Sequence, residues 1–137
     1  RPIMIHRTVF GSIERFLGIL IEHFAGKFPL WLSPLQAIIL PINDELVPYA
    51  DEVLATLKNA GLRAEVDSRT ESLNKKVREA QLQYIPLILT IGGKEKEAST
   101  LSVRTLDGNV KYGVSHETFL NTVQSHIRNR ELSLEFV

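Results

Sequence analysis

The sequence contains no cysteine. That excludes a disulfide framework and any metal centre built on thiolates within these residues. Neither sign of charge is in excess, since 16 Lys and Arg balance 16 Asp and Glu. The charge total therefore points to no polyanionic partner; only a local basic patch could do so, because recognition depends on charge distribution. A long apolar run is missing too. Phe16-Leu17-Gly18-Ile19-Leu20-Ile21 is broken by Glu22 and His23, well short of the ~20 apolar residues that span a bilayer. No internal repeat, low-complexity tract or targeting signal is evident. The sequence also offers no nucleophile–base pair and no paired carboxylates in an acid/base arrangement, so nothing in it supports catalysis by this chain alone.

What is present suits an ordinary globular unit. The 137 residues fit one domain with an appendage, and a 44% hydrophobic content can fill a core. The composition is compatible with the cytosol. The chain begins with Arg1 rather than Met, from which we expect an excised piece or a processed product.

Ile3, Ile5, Val9 and Phe10 predict an opening strand, broken by Gly11. Ser12 can cap a helix running to about Ala25, with Gly26 just past its end and Pro29 beyond. The apolar face of that helix (Ile13, Phe16, Leu17, Leu20, Ile21, Phe24) is wide and needs a partner to bury it. Roughly 25 residues cannot supply both faces of a core, so the partner is expected outside this chain. Pro29 and Pro34 bracket an extended boundary segment.

An α/β unit is expected after the boundary. Leu35–Leu40 reads as a strand ended by Pro41. Asn43, Asp44 and Glu45 form an acidic helix entrance, Pro48 fits the first turn, and Gly61 ends the helix. Leu62, Ala64 and Val66 alternate with charged residues as a second strand. Leu73, Val77, Ala80 and Tyr84 mark a second helix whose outer face carries Lys75, Lys76 and Arg78. Leu87–Ile91 is nearly all apolar, as in a strand covered on both faces. Gly92-Gly93 is read as a turn, and two strands flank the hairpin signal Asp107-Gly108. Ser115 can cap a last helix that buries Phe119, Leu120, Val123 and Ile127. The expected fold class is α/β, a mixed sheet of about five strands with three helices, preceded by a strand–helix remnant.

Three groups of residues could carry chemistry. Gly11, Ser12 and Arg15 sit where a helix N-terminus offers free N–H groups and a positive dipole end. A bound phosphate would reconcile that dipole with the arginine; the same residues also fit an exposed arginine paired with Glu14. His6 lies among apolar residues and suits either a packed histidine or a metal ligand, yet His23, His116 and His126 share no ligand spacing with it. Arg104 alternates with apolar residues and so points away from the core. Its fork can donate two bonds to the O6/N7 edge of guanine, and Glu95 can accept from a base N–H. Single-stranded loops expose such edges. A cross-strand ion pair on a solvated face is the more common reading of such a pattern taken alone. Lys75, Lys76 and Arg78 suit phosphate contacts or a plain solvated face.

Ile5-His6-Arg7 leading into Gly11-Ser12-Ile13-Glu14-Arg15-Phe16 resembles the last catalytic motif of the threonyl-tRNA synthetases, class II aminoacyl-tRNA synthetases. The remainder, including Lys94-Glu95 and Val103-Arg104-Thr105, resembles their C-terminal anticodon-binding domain. The resemblance implies that residues 1–33 end a catalytic domain and its linker, and that 34–137 form the anticodon-binding domain, of the class IIa type. It implies Arg15 as the catalytic arginine that holds ATP, and Ser12 as a residue near the aminoacyl-adenylate. It implies His6 as one protein ligand of a catalytic zinc, whose other ligands, a cysteine and a histidine, lie outside this chain. It implies Arg104 and Glu95 as anticodon readers, facing letters that are G and U in threonine anticodons. Gly93 and Thr70 depart from the family's frequent aspartate and asparagine.

The implied whole protein is a cytoplasmic, homodimeric ligase that joins threonine to its tRNA with ATP. Neither DNA nor a membrane is expected as a partner. This chain alone is expected to read the anticodon without catalysing and to hold no ATP or zinc. Two alternatives stay open: an accessory protein-interaction module, or the matching domain of a prolyl or glycyl relative. A zinc-ligating His6 argues against the second.

Overall fold

The computed structural model describes residues 2–134. Residues 2–8 adopt no regular structure. The expected opening strand is absent because no neighbouring strand offers it ladder partners, and a lone strand is not stable. Helix α1 (Ile13–Phe24) does form. Ser12 caps it, accepting from the Arg15 N–H at 3.5 Å. It ends on Ala25 in the left-handed region, whose N–H donates to the Glu22 carbonyl. No residue of α1 is buried.

From Ala37 onward the apolar alternation builds one sheet. Its elements are β1 (Ala37–Pro41), α2 (Val47–Asn59, entered through a short 3-10 turn), β2 (Ala64–Val66), α3 (Leu73–Leu82), β3 (Leu87–Ile91), α4 (Gly93–Ala98), β4 (Thr100–Thr105), β5 (Val110–Ser115) and α5 (His116–Asn129). Pro48 sits in the first turn of α2, where its missing N–H leaves no bond unmade. Gly92-Gly93 is not merely a turn: Gly93 begins α4, and the charged Lys94–Glu97 lie within it. Among the described residues the unit therefore has four α-helices where three were expected. A six-residue helix has too few residues to show a period in sequence.

The strand order is β2-β1-β3-β4-β5, with β1 parallel to β2 and β3, and β4 and β5 antiparallel. The sheet is mixed, as expected. From β1 the chain moves outward to β2, then crosses back to β3 on the other side. Crossovers of one hand to opposite sides place α2 and α3 on opposite faces. Alternate residues accordingly divide between two cores. Ala37, Ile39, Leu87, Leu89, Ile91, Leu101 and Val103 pack with α2 and α5 residues in the larger one. Leu40 and Ile88 pack with Ala80 of α3 and with Ile85 in the smaller.

The imbalance between the faces positions the site. Strands lie about 4.8 Å apart and a helix is about 10 Å wide, so one helix covers about two strands. Two helices serve the first face. Among the described residues only α3 serves the second, and it packs over β1 and β3. No helix among the described residues covers the second face of β4 and β5.

The boundary segment is stitched to this unit. Leu30 joins the larger core. Gln36 donates to the Leu30 carbonyl at 2.9 Å, and Arg63 donates to the Ser33 and Trp31 carbonyls.

Candidate nucleic-acid interface

The uncovered strip of sheet forms the floor of a groove of about 440 Å³. Thr90 of β3 and Ser102 and Arg104 of β4 supply the floor. One wall is α3, through Leu73, Asn74, Val77, Arg78 and Gln81. Val110 and Tyr112 of β5 line it, as do Glu95 at the start of α4 and Ile42 just past β1. Ile42 and Glu95 follow the carboxyl ends of β1 and β3, between which the chain reverses its direction of travel. In open α/β sheets that reversal is where ligands bind.

Arg104 faces the groove because Leu101, Val103 and Thr105, its alternating neighbours, are buried on the other side. Among the described residues its side chain makes no hydrogen bond and no ion pair, so the cross-strand pair with Glu95 does not form. A half-buried guanidinium with all its donors free is suited to a bidentate acceptor.

Glu95 is held differently. Its Oε2 accepts the Gly92 backbone N–H at 3.1 Å, closing half of a capping box at the start of α4. Its Oε1 accepts the Ser102 hydroxyl at 2.7 Å. A Cβ on residue 92 would stand 2.8 Å from Oε2 and 2.9 Å from Ile42 Cδ1, so glycine there lets the carboxylate reach back. The Ser102 hydroxyl, followed by the backbone donors, holds the Glu95 carboxyl below the usual carboxylate range. It is thus ionised at neutral pH, fixed in orientation, and still has lone pairs to accept from a ligand.

Behind the groove wall, the loop into α3 is pinned by charge. Asp67 accepts from Arg69 through both oxygens, at 2.9 and 2.6 Å, and Arg69 reaches Glu79 of α3 at 2.7 Å. Chiefly through the Arg69 hydrogen bonds, the Asp67 carboxyl lies below its ordinary range. Lys76 corrects the sequence reading. It is only 4% exposed, and its Nζ donates to the Asp67 carbonyl at 3.0 Å. It belongs to the support of α3, not to a wet helix face; helical spacing could not show that the sheet side of α3 reaches that far. Lys75 pairs with Glu71 at 2.6 Å. Of the three cations, Arg78 alone lines the groove.

The N-terminal residues singled out by sequence lie elsewhere. Ser12 donates to Glu14 at 2.6 Å, which holds the Glu14 carboxyl low. Arg15 is exposed and makes no ion pair with Glu14. Its side chain and the first turn of α1 can still meet an anion. His6 is exposed, and among the described residues no group of His, Cys, Asp or Glu can hold a metal ion. These residues alone do not make a zinc site. None of the three lines the groove that brings Glu95 and Arg104 together.

Sequence reasoning missed Ser102, Asn74 and Tyr112. Ser102 was visible as the residue two before Arg104, hence on its face. Tyr112 carried no such signal, because a regular strand would put Val110, Tyr112 and Val114 on one face. No helix of the described residues is long and apolar enough to cross a membrane.

Residues 36–126 match the model of the anticodon binding domain. The threonine–tRNA ligase of Desulfosudis oleivorans is 67% identical over 130 residues, covering 95% of this chain and 20% of that protein. That of Desulfatibacillum aliphaticivorans is 65% identical over 134 residues, covering 98% and 21%. The chain thus spans about a fifth of the length of these curated relatives. The crystal structure of the RNA binding domain of threonyl-tRNA synthetase from Cryptosporidium parvum Iowa II superposes with a TM-score of 0.78 at 30% identity, covering 95% of this chain and 31% of that one.

Proposed function

The chain belongs to the anticodon-binding domain family, and we propose that it is the tRNA-reading part of a threonine–tRNA ligase. The observation that carries this is the pairing of a free Arg104 guanidinium with a fixed, ionised Glu95 in one groove. In a single-stranded loop the bases are splayed and offer their edges. Arg104 donates two hydrogen bonds to the O6/N7 edge of a guanine, and Glu95 accepts from the N–H of a neighbouring base. The two side chains ask for opposite hydrogen-bonding patterns, so the groove tells bases apart where a uniformly basic groove would not. High identity to threonine–tRNA ligases across nearly the whole chain supports threonine over proline or glycine.

The remaining assignments concern the longer protein. Residues 1–33 would close its catalytic domain and 34–137 form the anticodon-binding domain; residues 1 and 135–137 lie outside the described residues. Arg15 would meet ATP and Ser12 the adenylate at the start of α1. His6 would give one ligand to a zinc whose other ligands come from elsewhere. The threonine, the homodimer and the cytoplasmic location belong to that same reading.

The test is a titration of this chain with a synthetic RNA stem-loop carrying a threonine anticodon, beside one with the anticodon altered. Preferential binding of the first is expected. Arg104→Ala should weaken it by about 1–3 kcal/mol and relax the preference at one base. Equal affinity for both loops overturns the reading, and an accessory module without RNA specificity takes its place.

A further inference from the structure

Tyr112 is a large aromatic residue left 74% exposed at the rim of the groove. Its direction follows from an irregularity in the β4–β5 ladder. Val103 pairs with Lys111, and Leu101 pairs with Val114. One residue of β4, Ser102, therefore faces two of β5, Tyr112 and Gly113. Gly113 has φ +67, a left-handed value that a side chain would resist. This is a bulge with glycine as the extra residue. On its two sides the strand changes parity. Val110 and Tyr112 face the groove, yet Val114 packs in the larger core. In a regular strand residues 110, 112 and 114 share one face, so seating Val114 in the core would turn Tyr112 out of the groove. The bulge satisfies both.

Ser102, which Tyr112 faces across the ladder, is the residue that holds Glu95. An exposed ring thus stands next to the residue that orients an edge-reading carboxylate, on the β4–β5 part of the sheet, which no helix of the described residues covers on this face. We propose that Tyr112 is a stacking platform for a base of the single-stranded loop, positioned so that the stacked base or its neighbour presents its edge to Glu95 and Arg104. The inference rests on the RNA reading of the groove. Each base has a π-face, so the ring contributes affinity with little sequence preference, whereas Glu95 and Arg104 discriminate.

Two variants test this with the threonine stem-loop. Tyr112→Ala is expected to bind about 5- to 150-fold more weakly, while Tyr112→Phe, which keeps the ring, binds like the parent. The slope of log affinity against log salt should be unchanged in both, because no phosphate contact is lost. A 2-aminopurine placed in the loop should lose fluorescence on binding the parent and keep it on binding Tyr112→Ala. Thermal melting checks that both variants fold, as expected for an exposed position. If the parent binds and Tyr112→Ala binds equally well, or if only the salt slope changes, the stacking role is overturned and the groove reading stands. If the parent does not bind, both fall.

Discussion

Helices α1 and α5 open and close the described chain with nearly the same local chemistry. Each begins at a serine whose hydroxyl oxygen accepts the N–H three residues on, Ser12 from Arg15 and Ser115 from Thr118. Each ends on a residue with left-handed backbone, Ala25 at φ 49 and Arg130 at φ 52, whose N–H turns back to the last carbonyls. Each carries an apolar face. Yet α5 buries Phe119 and Val123 against the sheet, and α1 buries nothing, leaving Ile13 68% exposed. Capping and periodicity decide that a helix forms. Whether it contributes to a core depends on what stands opposite, and α1 has no such partner among the described residues.

Breaking the apolar faces should separate the two most. Phe119→Ala empties a fully buried position and should cost about 3–5 kcal/mol in urea unfolding. Leu17→Ala on α1 should stay within about 0.5 kcal/mol in the same measurement. Comparable losses would mean that α1 shares the core and would abolish the contrast.

A smaller effect should come from Arg69, whose network anchors the α/β unit and has no counterpart around α1. Arg69→Ala should lower stability only modestly at neutral pH, because the Arg69 side chain is more than half exposed and solvent screens its ion pairs. The folded state lowers the Asp67 carboxyl, so its contribution is present above the unfolded value near pH ~3.9 and fades as pH falls through the folded value. The gap between parent and variant should therefore close in acid. A gap that widens below pH ~4 would assign the effect to another group.

The caps should give the finest distinction. Ser115→Ala should lower global stability by about 1 kcal/mol. Ser12→Ala should leave the unfolding midpoint alone while speeding amide exchange within α1. A shifted midpoint for Ser12→Ala would show that α1 unfolds together with the sheet.

Much of this was readable in one dimension. The caps at Ser12 and Ser115, the stop at Gly61, the Asp107-Gly108 hairpin and the alternation that turns Arg104 from the core are all short-range patterns, and each recurs in the structure. Glu95 and Arg104, both singled out in the sequence, line one groove, but the absence of an ion pair between them was not legible, because it depends on how α4 and β4 place them in space. Lys76 looked like a surface cation until the Asp67 carbonyl was found within its reach.

The order and type of most elements, the mixed sheet and the outward face of Arg104 thus follow from the sequence itself, since propensity, capping and period act within a few residues along the chain. Tertiary structure alone decided that the opening segment would not be a strand, that Lys94–Glu97 would coil as α4, and that Ser102 would fix Glu95. It also decided that one bulge would aim Tyr112 at the groove while Val114 stays in the core. Those outcomes depend on ladder partners, on how many strands one helix can cover, and on groups brought together from distant parts of the chain.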